Sequence, residues 1–387
     1  MNLIPYSKQW LDEEDVNAVV NVLRGNWLTQ GPHIEQFEKT VADYCGAQYA
    51  VAVNNGTSAL HLACMAVGFG DGDILWTSPN TFVASANCGL YCGGTVDFVD
   101  IDPQTYNMSA GNLQQKLEKA NQNRSLPEVV IPVHLSGQSC DMEIIAQLAH
   151  HYRFKIIEDA SHALGARYRK TKVGCCAFSD MTIFSFHPVK SITTGEGGMI
   201  LTNQKELYEK LIRLRNHGIT RNPEFMQGEP HGHWYYQQVE LGFNYRITDI
   251  QAALGTSQMR HLDKFVERRN YLTNRYNQLL HDLPLTLPSK SPDTYSACHL
   301  YVIRLRLDKI RKTRRQVFEE LRINGIGVNV HYIPVHTQPY YKQLGFKLGD
   351  FPEAERYYQE AISIPLYYGL TDEEQDFVVD TIRKTLV

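Results

Sequence analysis

Apolar residues in the first half of the chain recur with two periods, one typical of helices and one typical of buried strands. One set lies between Asp12, a suitable cap, and Gly25, a suitable stop, and predicts an amphipathic helix over residues 13–24. A second set predicts a helix that ends at Gly46. Short apolar runs predict strands at residues 50–53, 75–78, 96–100, 129–133, 155–159, 181–184 and 199–201. Strands that alternate with helices indicate a largely parallel sheet covered on both faces.

The second half has a different pattern. A helix is predicted over residues 205–215, followed by a polar and aromatic stretch, 217–240, that we interpret as a mobile loop over a cleft. A long helical region then opens at Leu241 and runs to Leu280, and Pro284–Pro288 suggests a domain boundary. From about residue 295 the order is strand 300–305, helix 314–324, strand 328–332 and helix 352–361, which is typical of a smaller α+β unit.

Composition narrows the class of protein. The chain has 387 residues, of which 43% are hydrophobic and 21% charged, as in globular proteins, and its length permits one large domain or two ordinary ones. A formal net charge of −4 gives no general reason to bind nucleic acid or an anionic membrane. The chain shows no secretory signal pattern and no apolar run of membrane-spanning length, so we expect a cytoplasmic protein.

The eight cysteines do not predict a metal site or a disulfide framework. None forms a CxxC pair, and reduced thiols are the simplest interpretation. Cys88 and Cys92 lie four residues apart, but no second pair at ligand spacing accompanies them. We therefore expect no bound metal.

Lys190 is the first candidate for chemistry. It lies in a polar, glycine-rich loop between the apolar runs 181–184 and 199–201, among the hydroxyls of Ser185, Ser191 and Thr193. Most lysines are solvated surface charges. A nucleophilic lysine instead requires partial desolvation and hydrogen-bonding neighbours that lower its pKa. The flanking hydroxyls and glycines of this loop are typical of a pocket that binds a carbonyl or a phosphate.

Three further candidates lie at strand ends. The strand at 50–53 runs directly into a glycine turn and a helix start at residues 54–58, where backbone N–H groups favour a phosphate, although the same residues also serve as plain helix caps. Asp159 ends a strand in a predicted parallel sheet, where functional groups collect at the carboxyl edge. Its alternative role is that of a helix N-cap. Phe82 follows another strand, and its ordinary role is core packing.

Five separated strings bring these candidates together. NNGTSAL at residue 54, NTFVAS at residue 80, EDASHALG at residue 158, FSFHPVKSITTGEGG around Lys190 and FNYRITDIQAALG at residue 243 resemble the DegT/DnrJ/EryC1/StrS sugar aminotransferases, in this order and over nearly the whole chain. The resemblance implies an α/β protein of the aspartate aminotransferase type, with a mixed seven-stranded sheet in the large domain and a small C-terminal α+β domain. Its expected organisation is an N-terminal active-site segment, a large cofactor domain, and a connecting helix with the small domain, at residues 1–12, 13–250 and 251–387.

The resemblance also implies pyridoxal 5′-phosphate as cofactor, held by Lys190 as a Schiff base. Asp159 is expected to pair with the pyridinium nitrogen, Phe82 to stack on the ring, and His162 to lie against the ring and its phenolic oxygen. The expected phosphate contacts are Gly56, Thr57, Ser58 and Ser185, with Asn244 reaching in from the other subunit of a homodimer. After the amino donor displaces it, Lys190 is expected to shuttle a proton.

Within the family, YSKQWL, NWLTQG and YNMS, at residues 6, 26 and 106, most resemble members that aminate C4 of a UDP-4-keto-6-deoxy-N-acetylhexosamine for pseudaminic acid synthesis. L-Glutamate is the donor that the resemblance implies. The alternative is a UDP-4-amino-4-deoxy-L-arabinose aminotransferase or another nucleotide-sugar 3- or 4-aminotransferase. The expected substrate contacts are Tyr6, Asn26, Trp27, Leu28, Thr29, Gly56, Ser185, Asn244, His331, Tyr332, Ile333 and Pro334.

Two other classes remain as alternatives. Related lyases dehydrate the sugar and have histidine in place of the lysine, so the presence of Lys190 disfavours them. A cofactor-binding regulator without turnover needs no donor site. Loss of the Schiff-base absorbance on adding glutamate separates that class from an aminotransferase.

Overall fold

The computed structural model describes residues 3–386, so Met1, Asn2 and Val387 of the predicted segments lie outside the described residues. The α-helices of the described chain are α1 (Glu13–Arg24), α2 (Pro32–Cys45), α3 (Gly56–Ala66), α4 (Ala84–Tyr91), α5 (Ala110–Asn123), α6 (Met142–Tyr152), α7 (Lys205–Arg215), α8 (Asp249–Met259), α9 (Leu262–Leu279), α10 (Arg314–Ile323), α11 (Pro339–Gln343), α12 (Pro352–Glu360) and α13 (Asp372–Leu386). The strands are β1 (Tyr49–Val53), β2 (Ile74–Thr77), β3 (Thr95–Phe98), β4 (Val129–Ile131), β5 (Lys155–Asp159), β6 (Arg167–Tyr168), β7 (Thr171–Lys172), β8 (Met181–Ser185), β9 (Gly198–Thr202), β10 (Ile219–Thr220), β11 (Gln237–Gln238), β12 (Leu285–Thr286), β13 (Thr294–Tyr295), β14 (Tyr301–Leu305) and β15 (Ala361–Ile364).

The central element is a seven-stranded sheet in the order β1-β9-β8-β5-β4-β2-β3. Strand β9 is antiparallel to both of its neighbours, and the other pairs are parallel. The predicted mixed seven-stranded sheet is thus confirmed. Its strands are apolar on both faces because helices cover both, as in other sheets dominated by parallel pairs.

The topology brings distant parts of the chain to one edge. The carboxyl ends of β1, β2, β5 and β8 point the same way, and each is followed by a segment that contains a predicted site residue. Those segments are the turn before α3, the loop before α4, Asp159 and the Lys190 loop. The edge is therefore where a site is expected in this kind of sheet.

A smaller antiparallel sheet, β12-β14-β15, packs with α10 and α13 around its own apolar core. The N-terminal segment crosses this unit. Ile4 exchanges backbone hydrogen bonds with Gly325 and Gly327, and the carbonyl of Tyr6 accepts from the Leu366 N–H at 3.0 Å. These bonds carry Tyr6 towards the edge of the large sheet.

The helical region predicted from Leu241 to Leu280 is confirmed from Asp249 to Leu279, as the two helices α8 and α9, and is wrong before Asp249. Residues 241–248 are not helical, and α8 begins only after Thr248, which forms a capping box with Gln251. The helix then breaks at Arg260 and His261, whose N–H groups bond to carbonyls three residues back rather than four. Local tightening of this kind ends α8 and starts α9.

The strand predicted at residues 328–332 is also wrong. Asn329 pairs with Ser363 through two backbone hydrogen bonds and forms only an isolated bridge. The chain then leaves the sheet and carries His331 and Tyr332 towards the large domain.

Candidate active site

A cleft of about 880 Å³ opens between the carboxyl edge of the large sheet and residues 329–332. This volume is in the range that holds a cofactor together with a substrate. It brings together predicted residues from six separate segments: Tyr6, Gly56, Thr57, Ser58, Phe82, Asp159, His162, Ser185, Lys190, His331 and Tyr332.

Lys190 lies in the loop that follows β8, partly buried. Its backbone N–H donates to the carbonyl of His187 at 2.9 Å, and the Ser7 hydroxyl donates to the carbonyl of Val189 at 3.2 Å. Burial lowers the pKa of the Lys190 ammonium to about 8, while the charge of Asp159 acts in the opposite direction. The unprotonated fraction near neutral pH is therefore far larger than for an ordinary lysine, which favours a nucleophilic role.

Asp159 is the last residue of β5 and is buried. The hydroxyl of Ser85 donates to its Oδ2 at 2.6 Å, and the N–H of Ser161 donates to its Oδ1 at 3.1 Å. No helix follows it directly, so it does not act as a helix N-cap. Its carboxylate faces the same cleft as Lys190.

The ring of His162 has a defined tautomer. The backbone N–H of Ser136 donates to its Nδ1 at 3.3 Å, so the ring proton must lie on Nε2, 3.1 Å from the hydroxyl oxygen of Tyr332. Burial, together with the positive charge of Lys190, holds the pKa of His162 well below its usual range. His162 is therefore neutral and donates to Tyr332.

The start of α3 forms a cradle for an anion. The Asn55 side chain caps the helix by accepting from the Ser58 N–H at 2.8 Å, and the first N–H groups of a helix have no partner within it. A Cβ on Gly56 would lie 3.1 Å from the Ser185 Cβ, so glycine allows this turn to approach Ser185 closely. Gly56, Thr57 and Ser185 thus border a site suited to a phosphate.

Phe82 projects into the cleft instead of the core, with 57% of its surface exposed. The loop that carries it is tied to the smaller unit, because the Tyr332 N–H donates to Asn80 Oδ1 at 3.2 Å and the Val335 N–H to the carbonyl of Pro79 at 2.9 Å. The centroids of the Phe82 and Tyr332 rings lie 6.2 Å apart. An aromatic face is thus presented to whatever occupies the cleft.

Some predicted residues do not line the cleft of their own chain: Asn26, Trp27, Leu28, Thr29, Asn244, Ile333 and Pro334. The loop at 26–29 lies beside the start of α8, where the Leu28 carbonyl accepts from the Asp249 N–H at 3.0 Å. Asn244 is exposed and pairs with Asn216 in an isolated bridge. Ile333 is 46% exposed, whereas Pro334 is buried. Their roles stay predictions.

The stretch interpreted as a mobile loop over the cleft does not line the cleft of its own chain. Within the described chain, residues 217–240 include the short β10–β11 hairpin, and the residues that line the cleft come from other segments. Sequence reasoning also missed His299, whose ring lies 4.3 Å from that of His162, and Ser85. Thr81 and Ser85 are spaced by four and so share one face of the turn that opens α4, a pattern that was visible in the sequence. His299 has no local motif.

Among residues 3–386, no group of three or more His, Cys, Asp or Glu side chains is placed to hold a metal ion. No helix in the same range is long and apolar enough to cross a bilayer. The cytoplasmic location stays a prediction.

These groups suit a particular class of cofactor. An amine with a lowered pKa reacts with an aldehyde, a buried carboxylate holds a cationic ring nitrogen, and a helix start holds a phosphate. Pyridoxal phosphate carries all three partner groups, so the residues present fit it.

Comparison with known proteins agrees with this chemistry. The model of the DegT/DnrJ/EryC1/StrS aminotransferase family matches residues 9–383. The spore coat polysaccharide biosynthesis protein SpsC of Bacillus subtilis is 39% identical over 385 residues, covering 99% of this chain and 97% of that protein. A UDP-4-amino-4,6-dideoxy-N-acetyl-β-L-altrosamine transaminase of Campylobacter jejuni is 37% identical over 389 residues, covering 99% and 98%.

Solved structures show the same fold. Helicobacter pylori PseC, an aminotransferase involved in the biosynthesis of pseudaminic acid, superposes with a TM-score of 0.90 at 30% identity and covers 100% of this chain and 99% of its own. The sugar-aminotransferase-like protein Spr1654 of Streptococcus pneumoniae in its PMP form gives a TM-score of 0.90 at 30% identity, covering 99% and 98%. The predicted aspartate aminotransferase type of fold is thereby confirmed.

Proposed function

The chain belongs to the DegT/DnrJ/EryC1/StrS aminotransferase family, and on that premise we propose that it transfers the amino group of L-glutamate to C4 of a UDP-4-keto-6-deoxy-N-acetylhexosamine. The product would be UDP-4-amino-4,6-dideoxy-N-acetyl-β-L-altrosamine. The family assignment makes the protein a nucleotide-sugar aminotransferase with pyridoxal phosphate as its cofactor. The sugar, the nucleotide and the amino donor are our proposals.

One observation carries the proposal. Lys190, with a pKa lowered to about 8, and the buried Asp159 face one cleft that also contains the α3 start and Phe82. A surface lysine would show no such lowering. The likeness to the Campylobacter jejuni transaminase, over 99% of the chain, supports the choice of sugar.

The protein residues have distinct tasks in this reaction. When bound, pyridoxal phosphate supplies an aldehyde carbon for amine exchange and a ring that withdraws electrons. Lys190 would hold the cofactor in the resting protein and, once freed by the donor, would take a proton from the donor's α-carbon and deliver it to the cofactor carbon that had carried the aldehyde. Asp159 holds positive charge at the ring nitrogen, since a carboxylate favours the protonated form of a nearby base.

The remaining groups orient the reactants. Gly56, Thr57 and Ser185 hold the phosphate at the start of α3, and Phe82 covers a ring face. Neutral His162 adds no second positive charge beside Lys190. Tyr6, His331 and Tyr332 border the opposite side of the cleft and are the proposed contacts to the sugar nucleotide.

We also propose that two copies form a homodimer with shared sites. Large apolar side chains are exposed on α1 and on the loops that flank it: Leu11 at 47%, Val16 at 48%, Leu23 at 56%, Trp27 at 58% and Leu28 at 47%. Several large apolar side chains exposed on neighbouring segments favour contact with a partner. The loop at 26–29 adjoins the start of α8, and the exposed Asn244 lies in the segment that leads into that helix, so we propose that a second copy seated on this surface receives the predicted phosphate contact.

An assay with a matched substrate panel tests the activity. Purified protein with pyridoxal phosphate and L-glutamate is mixed with a UDP-4-keto-6-deoxy-N-acetylhexosamine, with UDP-4-keto-arabinose or with a GDP-4-keto-6-deoxyhexose, and amino sugars are measured by mass spectrometry. We expect ping-pong kinetics and the highest kcat/KM with the first compound. Preference for either of the others overturns the proposed sugar, and no amino sugar from any of them overturns the proposed activity.

Mixing two inactive variants tests the shared site. Lys190→Ala and Asn244→Ala are each purified, mixed, unfolded and refolded together. If Asn244 acts across the interface, heterodimers contain one intact site, and about a quarter of wild-type activity returns. If Asn244 acts within its own chain, no activity returns. The same mixture of Lys190→Ala with Asp159→Asn is the control and stays inactive, because both residues belong to one chain's cleft.

A further inference from the structure

Two hydroxyl groups lie behind Asp159 and connect it to the loop before α4. The Oγ of Ser85 is 2.6 Å from Asp159 Oδ2, and the Oγ1 of Thr81 is 2.8 Å from the Oγ of Ser85. Thr81 is 2% exposed, Ser85 0% and Asp159 6%. The two hydroxyls are therefore shielded from water, and their chain of hydrogen bonds ends at a carboxylate that borders the cleft.

The direction of these bonds follows from the available protons. An ionised carboxylate only accepts, so Ser85 donates its single hydroxyl proton to Asp159. The Ser85 oxygen is then free only to accept, so the proton between the two hydroxyls belongs to Thr81. Each bond polarises the next, and the bond to the charged group is the strong one.

We propose that Ser85 and Thr81 are positioning residues for the reaction, which fix the carboxylate of Asp159 against the cationic ring nitrogen of the cofactor. This inference rests on the proposed role of Asp159. Oδ2 is held by Ser85 and Oδ1 by the Ser161 N–H, so rotation of the carboxylate breaks at least one of these bonds. The lone pairs that remain on the carboxylate can accept a hydrogen bond from a ligand in the cleft.

The same turn places the aromatic group. Phe82 follows Thr81 directly, and the Ser85 N–H donates to the Phe82 carbonyl at 3.2 Å. The hydroxyls thus bind the carboxylate to the backbone that carries the ring-facing side chain. A cofactor ring between Phe82 and Asp159 would meet both at a separation set by this turn.

A purely structural role is the alternative, because buried hydroxyls need partners wherever they lie. Thr77 provides a matched control for it. Thr77 is fully buried on β2, and its hydroxyl donates to the carbonyl of Ile131 at 2.8 Å, away from the carboxylate. Removing that hydroxyl also costs a buried hydrogen bond.

The experiment measures the dissociation constant of pyridoxal phosphate, by titrating apo-protein and following visible absorbance, and the single-turnover rate with L-glutamate. Losing a hydrogen bond to a charged group weakens binding about tenfold or more, so we expect about this loss for Ser85→Ala. Thr81→Val loses about threefold because it acts through Ser85, and Thr81→Ser recovers most of that loss. Thr77→Val lowers the melting temperature and leaves the dissociation constant unchanged.

A double-mutant cycle with Asp159→Asn separates the two roles. If the hydroxyls act through the carboxylate, Ser85→Ala costs less than about twofold once the charge is gone. Equal loss in both backgrounds, or no loss while Asp159→Asn weakens binding, overturns the inference and leaves the proposed function standing. If Asp159→Asn itself changes neither quantity, the role of Asp159 and the inference both fail. Ser85→Cys, which keeps the side-chain shape with a weaker donor, replaces Ser85→Ala if the alanine variant does not fold.

Discussion

Strand β5 ends in two neighbouring carboxylates with different surroundings. Glu158 Oε2 lies 2.7 Å from His134 Nε2, and its Oε1 accepts from the Thr182 hydroxyl at 3.1 Å, inside the protein. Asp159 instead faces the cleft that contains Lys190. Successive side chains on a strand point to opposite faces of the sheet. The Glu158 carboxylate therefore stabilises the fold, whereas the Asp159 carboxylate is available for chemistry.

The comparison extends to the groups that hold each carboxylate. The Cys140 N–H donates to His134 Nδ1 at 3.1 Å, which leaves a proton on Nε2 for Glu158. Burial raises the pKa of Glu158, but hydrogen bonds from His134, Ser179 and Thr182 outweigh it and lower that pKa overall. Every oxygen of Glu158 is thus used internally, whereas Asp159 keeps lone pairs for a ligand. Burial alone does not distinguish the two roles.

The largest effect is expected when the amine that faces Asp159 is removed. Lys190→Ala loses the nucleophile and the proton carrier together, so we expect turnover to fall by at least about a thousandfold. The measurement is kcat with L-glutamate and the preferred keto sugar, with circular dichroism to show that the fold is retained. Substantial turnover by this variant contradicts the assigned role.

The next largest effect is a difference in reaction rate between variants of the two carboxylates. Asp159→Asn and Glu158→Gln each remove one charge with little change in shape. We expect Asp159→Asn to lower the rate of the glutamate half-reaction about a hundredfold or more, since the ring nitrogen loses its charged partner. Glu158→Gln, compared at equal amounts of folded protein, stays within about threefold of wild type because it does not reach the cleft. Equal losses in the two variants contradict the division.

We expect the order of the two variants to reverse when stability is measured instead of rate. Glu158→Gln disturbs hydrogen bonds to a buried charge, which lowers the free energy of unfolding by about 1–3 kcal/mol. Asp159→Asn has a smaller effect on the unfolding of apo-protein, since that carboxylate borders a solvated cleft. Urea denaturation of both apo-proteins gives the comparison.

The smallest expected effect is a pH dependence. A carboxyl whose folded pKa lies below its unfolded value of about 4.5 stabilises the fold above that pH. The stabilisation by Glu158 is lost as pH falls through the lowered value. Wild type and Glu158→Gln should therefore differ in unfolding free energy at pH 7 and converge as the pH falls below 4.5. A constant difference down to the lowest pH at which both fold contradicts this origin.

Much of the site was predictable because its signals are local. The turn at Gly56, the carboxylate at the end of β5 and the Lys190 loop each follow a parallel strand, and the sheet brings such ends together. The contacts between these segments were not predictable. Ser85 meets Asp159 across 74 positions, and Tyr332 meets His162 across 170. Such pairs depend on tertiary packing, which no local pattern records.

The errors have similar causes. The region from 241 to 280 is apolar enough for one helix, but Thr248 and Gln251 cap α8 only after an extended stretch that bridges to Thr29, Val53 and Asn216. Residues 328–332 have the apolar alternation of a strand, but the chain leaves the sheet after Asn329 and supplies the cleft. In both places tertiary hydrogen bonds override the local pattern.

The most direct test of the central claim, that the cleft is built around the Lys190 amine, is chemical trapping. Protein loaded with pyridoxal phosphate is reduced with borohydride, digested and mapped by mass spectrometry. We predict that the pyridoxyl phosphate group is found on Lys190, and that prior incubation with excess L-glutamate prevents the labelling. Labelling of a different lysine, or labelling of Lys190 that excess glutamate does not reduce, contradicts the account.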